Sequence, residues 1–330
     1  MYKFFYFPKY LSLILVLTTL TVTSNSLQVE AKSIPRQKIL RGENYGKLTN
    51  QEKLRTYYMY TPKSYNPKHP ISLVLVFHGD NGTGKSIEKV SRFNNLAEAF
   101  GFIAVYPNGL DHQWSFTGHV RRKVDDISFV AALIGHIEQI RNINRRKIYA
   151  TGFSQGGILT QALACKLPNK IAAFASVAGS LTTRFARSCH PTVSISMMMI
   201  NGTKDSSIHY HGDPITQKEA LVSIPETTNF WRRHDQCTSS SQFQHLTPTK
   251  SLNHLQVKAF RYSVCRNGSE VLQFAVVNGG HFWPGGASTD SKLNQVNIQL
   301  GFNASKAIWS FFQRHILSSF KASTIRKAKR

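Results

Sequence analysis

Apolar and polar positions alternate along residues 55–61, RTYYMYT, with the period of two that marks a strand with one buried face; it suits an edge strand. The next run, 71–77 (ISLVLVF), is almost wholly apolar and predicts a buried strand. Over 86–100 the period changes. Ile87, Val90, Phe93, Ala97 and Phe100 share one helical face, so a single helix is expected there. A strand at 102–106 ends at Pro107-Asn108-Gly109, and a long helix over 124–143 turns Ile127, Val130, Leu133, Ile134, Ile137 and Ile140 inward. A strand at 147–152, a helix at 155–167 and strands at 171–177 and 192–201 follow. A helix over 225–234, strands at 255–264 and 271–277 suited to a hairpin, and a closing helix over 302–317 complete the series. Strands alternating with helices predict an α/β fold, a mostly parallel central sheet with helices on both faces. No Pro/Gly/Ser-rich linker divides the chain, so a single domain is expected over 51–318.

The ends depart from this pattern. Lys3 and Lys9 precede an apolar stretch over 10–22, followed by small and polar residues. This reads as a signal peptide over 1–31, cut after Ser26 or Ala31, and so as a secreted, extracellular or periplasmic protein. The apolar run is short for a span of about 20 residues, so no transmembrane span is expected after cleavage. Residues 32–50 read as a polar lead-in and 319–330 as a basic C-terminal tail. Forty-one Lys and Arg against 17 Asp and Glu give the 330-residue chain a formal charge of +24. Such a charge favours an anionic surface or acidic polysaccharide. No aromatic stacking motif accompanies it, so no specific nucleic-acid partner is expected.

The cysteine count changes the picture next. Cys165, Cys189, Cys237 and Cys265 are even in number in an exported chain, which predicts two disulfides. Three pairings are open; pairing of neighbours closes loops of moderate length. The spacing is not that of a zinc site. His209 and His211 stand alone as an HxH pair without nearby partner ligands, so neither a metal nor another cofactor is expected.

Two motifs then compete. VFHGDNGTGKS (76–86) contains Gly79-x4-Gly84-Lys85-Ser86, the phosphate-binding loop pattern, between a strand and a helix. TGFSQGG (151–157) contains Gly152-x-Ser154-x-Gly156, the nucleophile elbow, in which a strained Ser sits on a sharp strand-to-helix turn and small flanking residues let the two elements approach. A Ser nucleophile needs a base and a group that orients it. Asp205 lies just past the strand at 192–201, and His281 sits in the Gly-rich loop GGHFWPGG, suited to a mobile base. The order Ser, Asp, His is that of α/β-hydrolases. The phosphate-loop reading lacks the second strand-end acid that would hold Mg²⁺. The same stretch is instead expected to supply an oxyanion N–H after Gly79, beside that of Gln155.

FHG, YPNG, Trp114, VDDISF, TGFSQGG, NGTKD and GGHFWPGG together resemble the secreted polyhydroxybutyrate depolymerase-like esterases, and the feruloyl and acetylxylan esterases of the same superfamily, over roughly residues 40–315. The resemblance implies an α/β-hydrolase fold. It also implies a serine carboxylic-ester hydrolase with Ser154 as nucleophile, Asp205 as acid and His281 as base, acting on hydroxyalkanoate, feruloyl or acetyl esters. It implies the pairing Cys165 with Cys189 and Cys237 with Cys265. Asp80 departs from the family, which often carries an uncharged residue after HG. Either Asp80 or Asn81 then supplies the oxyanion N–H, with Lys85 expected to offset the Asp80 charge. Trp114 and Trp283 are expected either to line a substrate pocket or to join the core. Asp125 and Asp126 suit the start of a helix by its dipole. A protein of another class, a basic polyanion-binding protein on a degenerate hydrolase fold, would share the charge but not need the Ser, Asp and His.

Overall fold

The computed structural model describes residues 40–115, 124–213, 220–238, 242–245, 256–288 and 300–317; the expected leader and basic tail lie outside them. Among the described residues, ten strands form one sheet: β1 (Gly42–Asn50), β2 (Lys53–Thr61), β3 (Ile71–Phe77), β4 (Phe102–Pro107), β5 (Ile143–Phe153), β6 (Ala173–Val177), β7 (Met197–Gly202), β8 (Gln242–His245), β9 (Gln256–Tyr262) and β10 (Val271–Val277). Their spatial order is β1-β2-β4-β3-β5-β6-β7-β10-β9-β8. The central strands β4, β3, β5, β6, β7 and β10 run parallel, and antiparallel pairs finish both edges.

Seven described helices cover the sheet: α1 (Gly84–Ser91), α2 (Phe93–Phe100), α3 (Asp126–Ile140), α4 (Gln155–Lys166), α5 (Thr183–Ser188), α6 (Ile224–His234) and α7 (Ala304–Phe312). The strand period sorts the core into two layers. Leu73, Leu75 and Phe77 of β3 pack with Leu133 of α3, Leu159 of α4 and Trp231 of α6. Val74 and Val76 point the other way and pack with Phe93 of α2 and Trp309 of α7. Both faces of the central strands are therefore buried, which is why 71–77 reads as an apolar run rather than an alternation.

Four features differ from the sequence reading. Gly42–Asn50 is not a polar lead-in but the edge strand β1, paired over its whole length with β2, which is thus an inner strand. Its weak apolar content follows from its place, since every residue is exposed or half-buried. The expected helix over 86–100 is two helices, broken at Arg92 (φ 54°, ψ 30°). The carbonyls at the end of α1 have distant donors: Val90 accepts from Ala287 N–H and Ser91 from the Ser305 hydroxyl. The short elements α5 and β8 have no clear signature in the sequence. Finally, Asp125 caps α3 by accepting from Ser128 N–H, but Asp126 is fully buried and pairs with Arg55 of β2 at 2.5 Å. Its role is thus a buried ion pair, not only a helix-dipole contact. The disulfides are Cys165–Cys189 and Cys237–Cys265.

Candidate active site

Parallel strands deliver their C-terminal ends to one edge of the sheet, where α/β folds place ligands. Ser154 follows β5 there, Asp205 follows β7, and His281 follows β10, which is the neighbour of β7.

Ser154 has φ 55° and ψ −119°, a conformation that L residues rarely adopt, and it is the N-terminal cap of α4. The glycines make this turn possible. A Cβ on Gly152 would lie 2.3 Å from the Gly156 carbonyl oxygen, and one on Gly156 would lie 2.5 Å from the carbonyl oxygens of Phe77 and His78. Gly79 packs closely too, though less tightly, since its Cβ would lie 3.2 Å from the Ser154 Cβ. The end of β3 therefore lies against the serine.

Asp205 is buried. Its Oδ1 accepts from the N–H groups of Ser207 and Ile208, each at 2.8 Å, and its Oδ2 lies 2.8 Å from His281 Nδ1. The turn that follows Asp205 aims the carboxylate through these two N–H groups, so Ser207 and Ile208 belong to the candidate site. The loops holding Asp205 and His281 interlock: Lys204 N–H donates to the Gly279 carbonyl, and a Cβ on Gly202 would lie 2.3 Å from that same oxygen. The His281 ring packs on Phe153, with centroids 4.8 Å apart, and Phe153 immediately precedes Ser154. Phe153 was not singled out from sequence because it fills the variable position of the elbow pattern.

The His281 loop is anchored, contrary to its Gly-rich appearance. The Trp283 indole N–H donates to Ser305 Oγ at 2.9 Å, and Ala304 N–H donates to the Pro284 carbonyl at 2.8 Å. Trp283 is thereby buried in the core layer under α2 and α7. Trp114 is likewise buried; its indole N–H donates to the His78 carbonyl and its backbone N–H to the Gln155 side-chain oxygen, both at 2.8 Å.

His78 is a further residue that the sequence did not mark. Its Nε2 accepts from Gly109 N–H at 2.9 Å, and its Nδ1 contacts the Gly79 carbonyl at 2.7 Å. Burial pushes this imidazole down to about 4, against hydrogen bonding to Gly79, which favours the charged form. The neutral ring, packed on Trp114 with centroids 4.7 Å apart and planes tilted by 35°, ties the loop after β3 to the loop after β4. Gly82 N–H closes a turn onto the Gly79 carbonyl, with exposed Asp80 and Asn81 at its tip. The Asn81 side-chain amide donates to the Asp80 carboxylate at 3.0 Å.

The rest of the phosphate-loop lookalike is accounted for by packing. Gly84 is required because a Cβ there would lie 2.2 Å from the Tyr106 carbonyl oxygen. Thr83 and Ser86 form a capping box at the start of α1. Lys85 does not offset Asp80: its ammonium pairs with Glu43 of β1 at 2.5 Å and Glu88 at 2.9 Å. His209 pairs with Asp213 at 2.9 Å.

No family model matches the sequence. NocK of Nocardia uniformis subsp. tsuyamanensis, which carries an esterase assignment, is 27% identical over 253 residues, covering 70% of this chain and 73% of its own. Feruloyl esterase B of Piromyces equi is 24% identical over 230 residues, covering 67% of this chain but 41% of its own. The chain thus spans about three quarters of the first and less than half of the second. The solved acetyl xylan esterase from Aspergillus awamori superposes over 77% of this chain and 98% of its own, with a TM-score of 0.51 and 14% identity. The chain has an α/β-hydrolase fold. In this α/β-hydrolase the fold accounts for the mostly parallel sheet, and the two relatives similar in sequence are named as esterases.

Proposed function

We propose that this α/β-hydrolase cleaves carboxylic esters through a Ser154-His281-Asp205 triad and an acyl-enzyme. The carrying observation is the strained Ser154 elbow on the same sheet edge as the hydrogen-bonded Asp205–His281 pair. Asp205 accepts a hydrogen bond from His281 Nδ1–H, which leaves Nε2 to take the Ser154 hydroxyl proton. Ser154 Oγ attacks the ester carbonyl. The first N–H of α4, that of Gln155, and an N–H of Asp80 or Asn81 stabilise the oxyanion. His281 returns the proton to the leaving alcohol, and water then releases the acid by the reverse sequence. No cofactor enters these steps.

Similarity to feruloyl and acetylxylan esterases points to feruloyl and acetyl esters as the first substrates to test. Hydroxybutyrate esters are the other class that the sequence resemblance suggests. Two disulfides and the leader-like first residues support action outside the cytoplasm. The formal charge of +24 favours a second reading, attachment to an anionic surface, compatible with the first.

The test compares hydrolysis of p-nitrophenyl acetate and butyrate, methyl ferulate and hydroxybutyrate oligomers, with and without a serine-directed phosphonate. Phosphonate-sensitive turnover with the adduct mapped to Ser154 is the expected result. Turnover that survives the phosphonate, or an adduct on another serine, would overturn the triad. A folded protein that neither turns over nor labels would leave polyanion binding as the function.

A further inference from the structure

The strands that carry Ser154, Asp205 and His281 on one edge enclose a cavity at their other end. Residues leading into β6, β7 and β10 line it, together with Arg146 of β5 and the turn after α7. Its volume is about 460 Å³, within the range of about 300–1,000 Å³ typical of small-molecule sites. With β7 six residues long and a rise of about 3.3 Å per residue, it lies about 20 Å from the catalytic edge.

The lining has two characters. Phe174, Ile195 and Leu317 give it apolar wall. Arg146 and Arg314 give it guanidinium groups, and among the described residues no carboxylate lines it. Arg146 is exposed and uses its Nε on the Leu317 carbonyl at 2.8 Å, an uncharged acceptor. Glu270, just behind the wall, contacts Arg314 at 2.9 Å, Arg261 at 2.6 Å and His315 Nε2 at 3.3 Å. Burial alone would raise the Glu270 carboxyl, but these contacts outweigh it and hold it down to about 2. One carboxylate thus faces two arginines, and Arg146 adds a charge with no acid of its own in the lining.

We infer that this cavity binds an organic monocarboxylate with an aliphatic or aromatic body. The carboxylate would be held at Arg146, where a guanidinium offers paired donors in matching geometry, and the body would rest on the apolar wall. A polyanion fits less well, because half of the lining could not meet its charges. A neutral apolar molecule would leave Arg146 with no charge to meet, since Arg314 already pairs with Glu270. The inference is independent of the catalytic proposal, since no residue of the lining belongs to the site at the opposite edge.

The full chain is titrated by calorimetry with hexanoate, cinnamate and hexanol. The expected result is saturable one-to-one binding of both acids and none of hexanol. Arg146→Gln, a change at an exposed position, weakens the acids at least about tenfold, the scale of one charge-assisted contact. Ala172→Phe, which fills the cavity, removes binding, with thermal melting as the check that each variant folds. Absence of saturable binding to the wild-type protein would overturn the inference. So would acid binding unchanged in Arg146→Gln, or hexanol binding as tightly as hexanoate. If Ala172→Phe does not fold, Arg146→Gln and the hexanol comparison still decide.

Discussion

At Ser154 the backbone holds a conformation that costs about 1–3 kcal/mol in a residue with a Cβ. Two substitutions separate that cost from the chemistry. Ser154→Ala keeps the Cβ and hence the strain; turnover falls by at least about 10⁴-fold while the melting temperature stays near that of the parent. Ser154→Gly also abolishes turnover but gains about 1 kcal/mol in urea melts, the relief of strain exceeding the extra freedom of an unfolded glycine. Asp205→Asn is expected to lower kcat about 10⁴-fold with KM little changed, because the His281 tautomer is no longer enforced. His78 contributes through pH. Its folded value of about 4 lies below its ordinary 6.5, so the unfolded chain binds the extra proton first. Stability from this group is complete above pH 6.5 and is lost as pH falls through 4, by at most about 3 kcal/mol. Urea melts at pH 7 and pH 4 measure the loss, and His78→Gln flattens the difference.

Among the elements, those with strong periodicity were legible and those defined by long-range partners were not. The buried strands β3, β4 and β10 and the helices α3 and α4 follow directly from apolar runs and helical faces. The Ser, Asp and His of the candidate site were legible because each stands at the end of such an element. The break at Arg92 was not, because the groups that end α1 are donors on Ala287 and Ser305, far along the chain. His78 and Phe153 were missed for a related reason: their roles exist only once β3, β4 and β5 stand side by side. The two tryptophans could not be assigned from sequence, since a buried indole and a pocket-lining one leave the same mark. The phosphate-loop lookalike shows how a short pattern can arise from packing. Gly84→Ala is expected to destabilise the protein by about 2 kcal/mol through its clash with the Tyr106 carbonyl, whereas ATP protects neither the parent nor the variant in thermal melts.

Across the whole molecule, the disulfides tie helix ends to nearby loops. Cys165–Cys189 joins the end of α4, the helix that Ser154 opens, to the end of α5. Loss of this bridge, which spans 24 residues, should cost about 3 kcal/mol and lower the melting temperature, an effect that thermal melts of a Cys165→Ala/Cys189→Ala variant against the parent, without reductant, would show. The buried Arg55–Asp126 pair joins β2 to α3. Asp126→Asn strands the guanidinium in the core at a cost of about 3–5 kcal/mol, whereas replacing both partners by apolar residues costs far less.

The pairing of β1 along the whole of β2 bears on where a shortened chain can start. The outer face of the sheet at this end is a polar strand carrying Glu43, Asn44 and Lys47, whose charges and solvation discourage another chain from adding to it. A protein cut back to residue 51 would lose this shield and present β2 instead, an aromatic strand with Tyr57, Tyr58 and Tyr60 and an open row of backbone donors and acceptors. Such a chain would self-associate edge to edge, and light scattering would show particles growing with concentration where the longer chain stays dispersed.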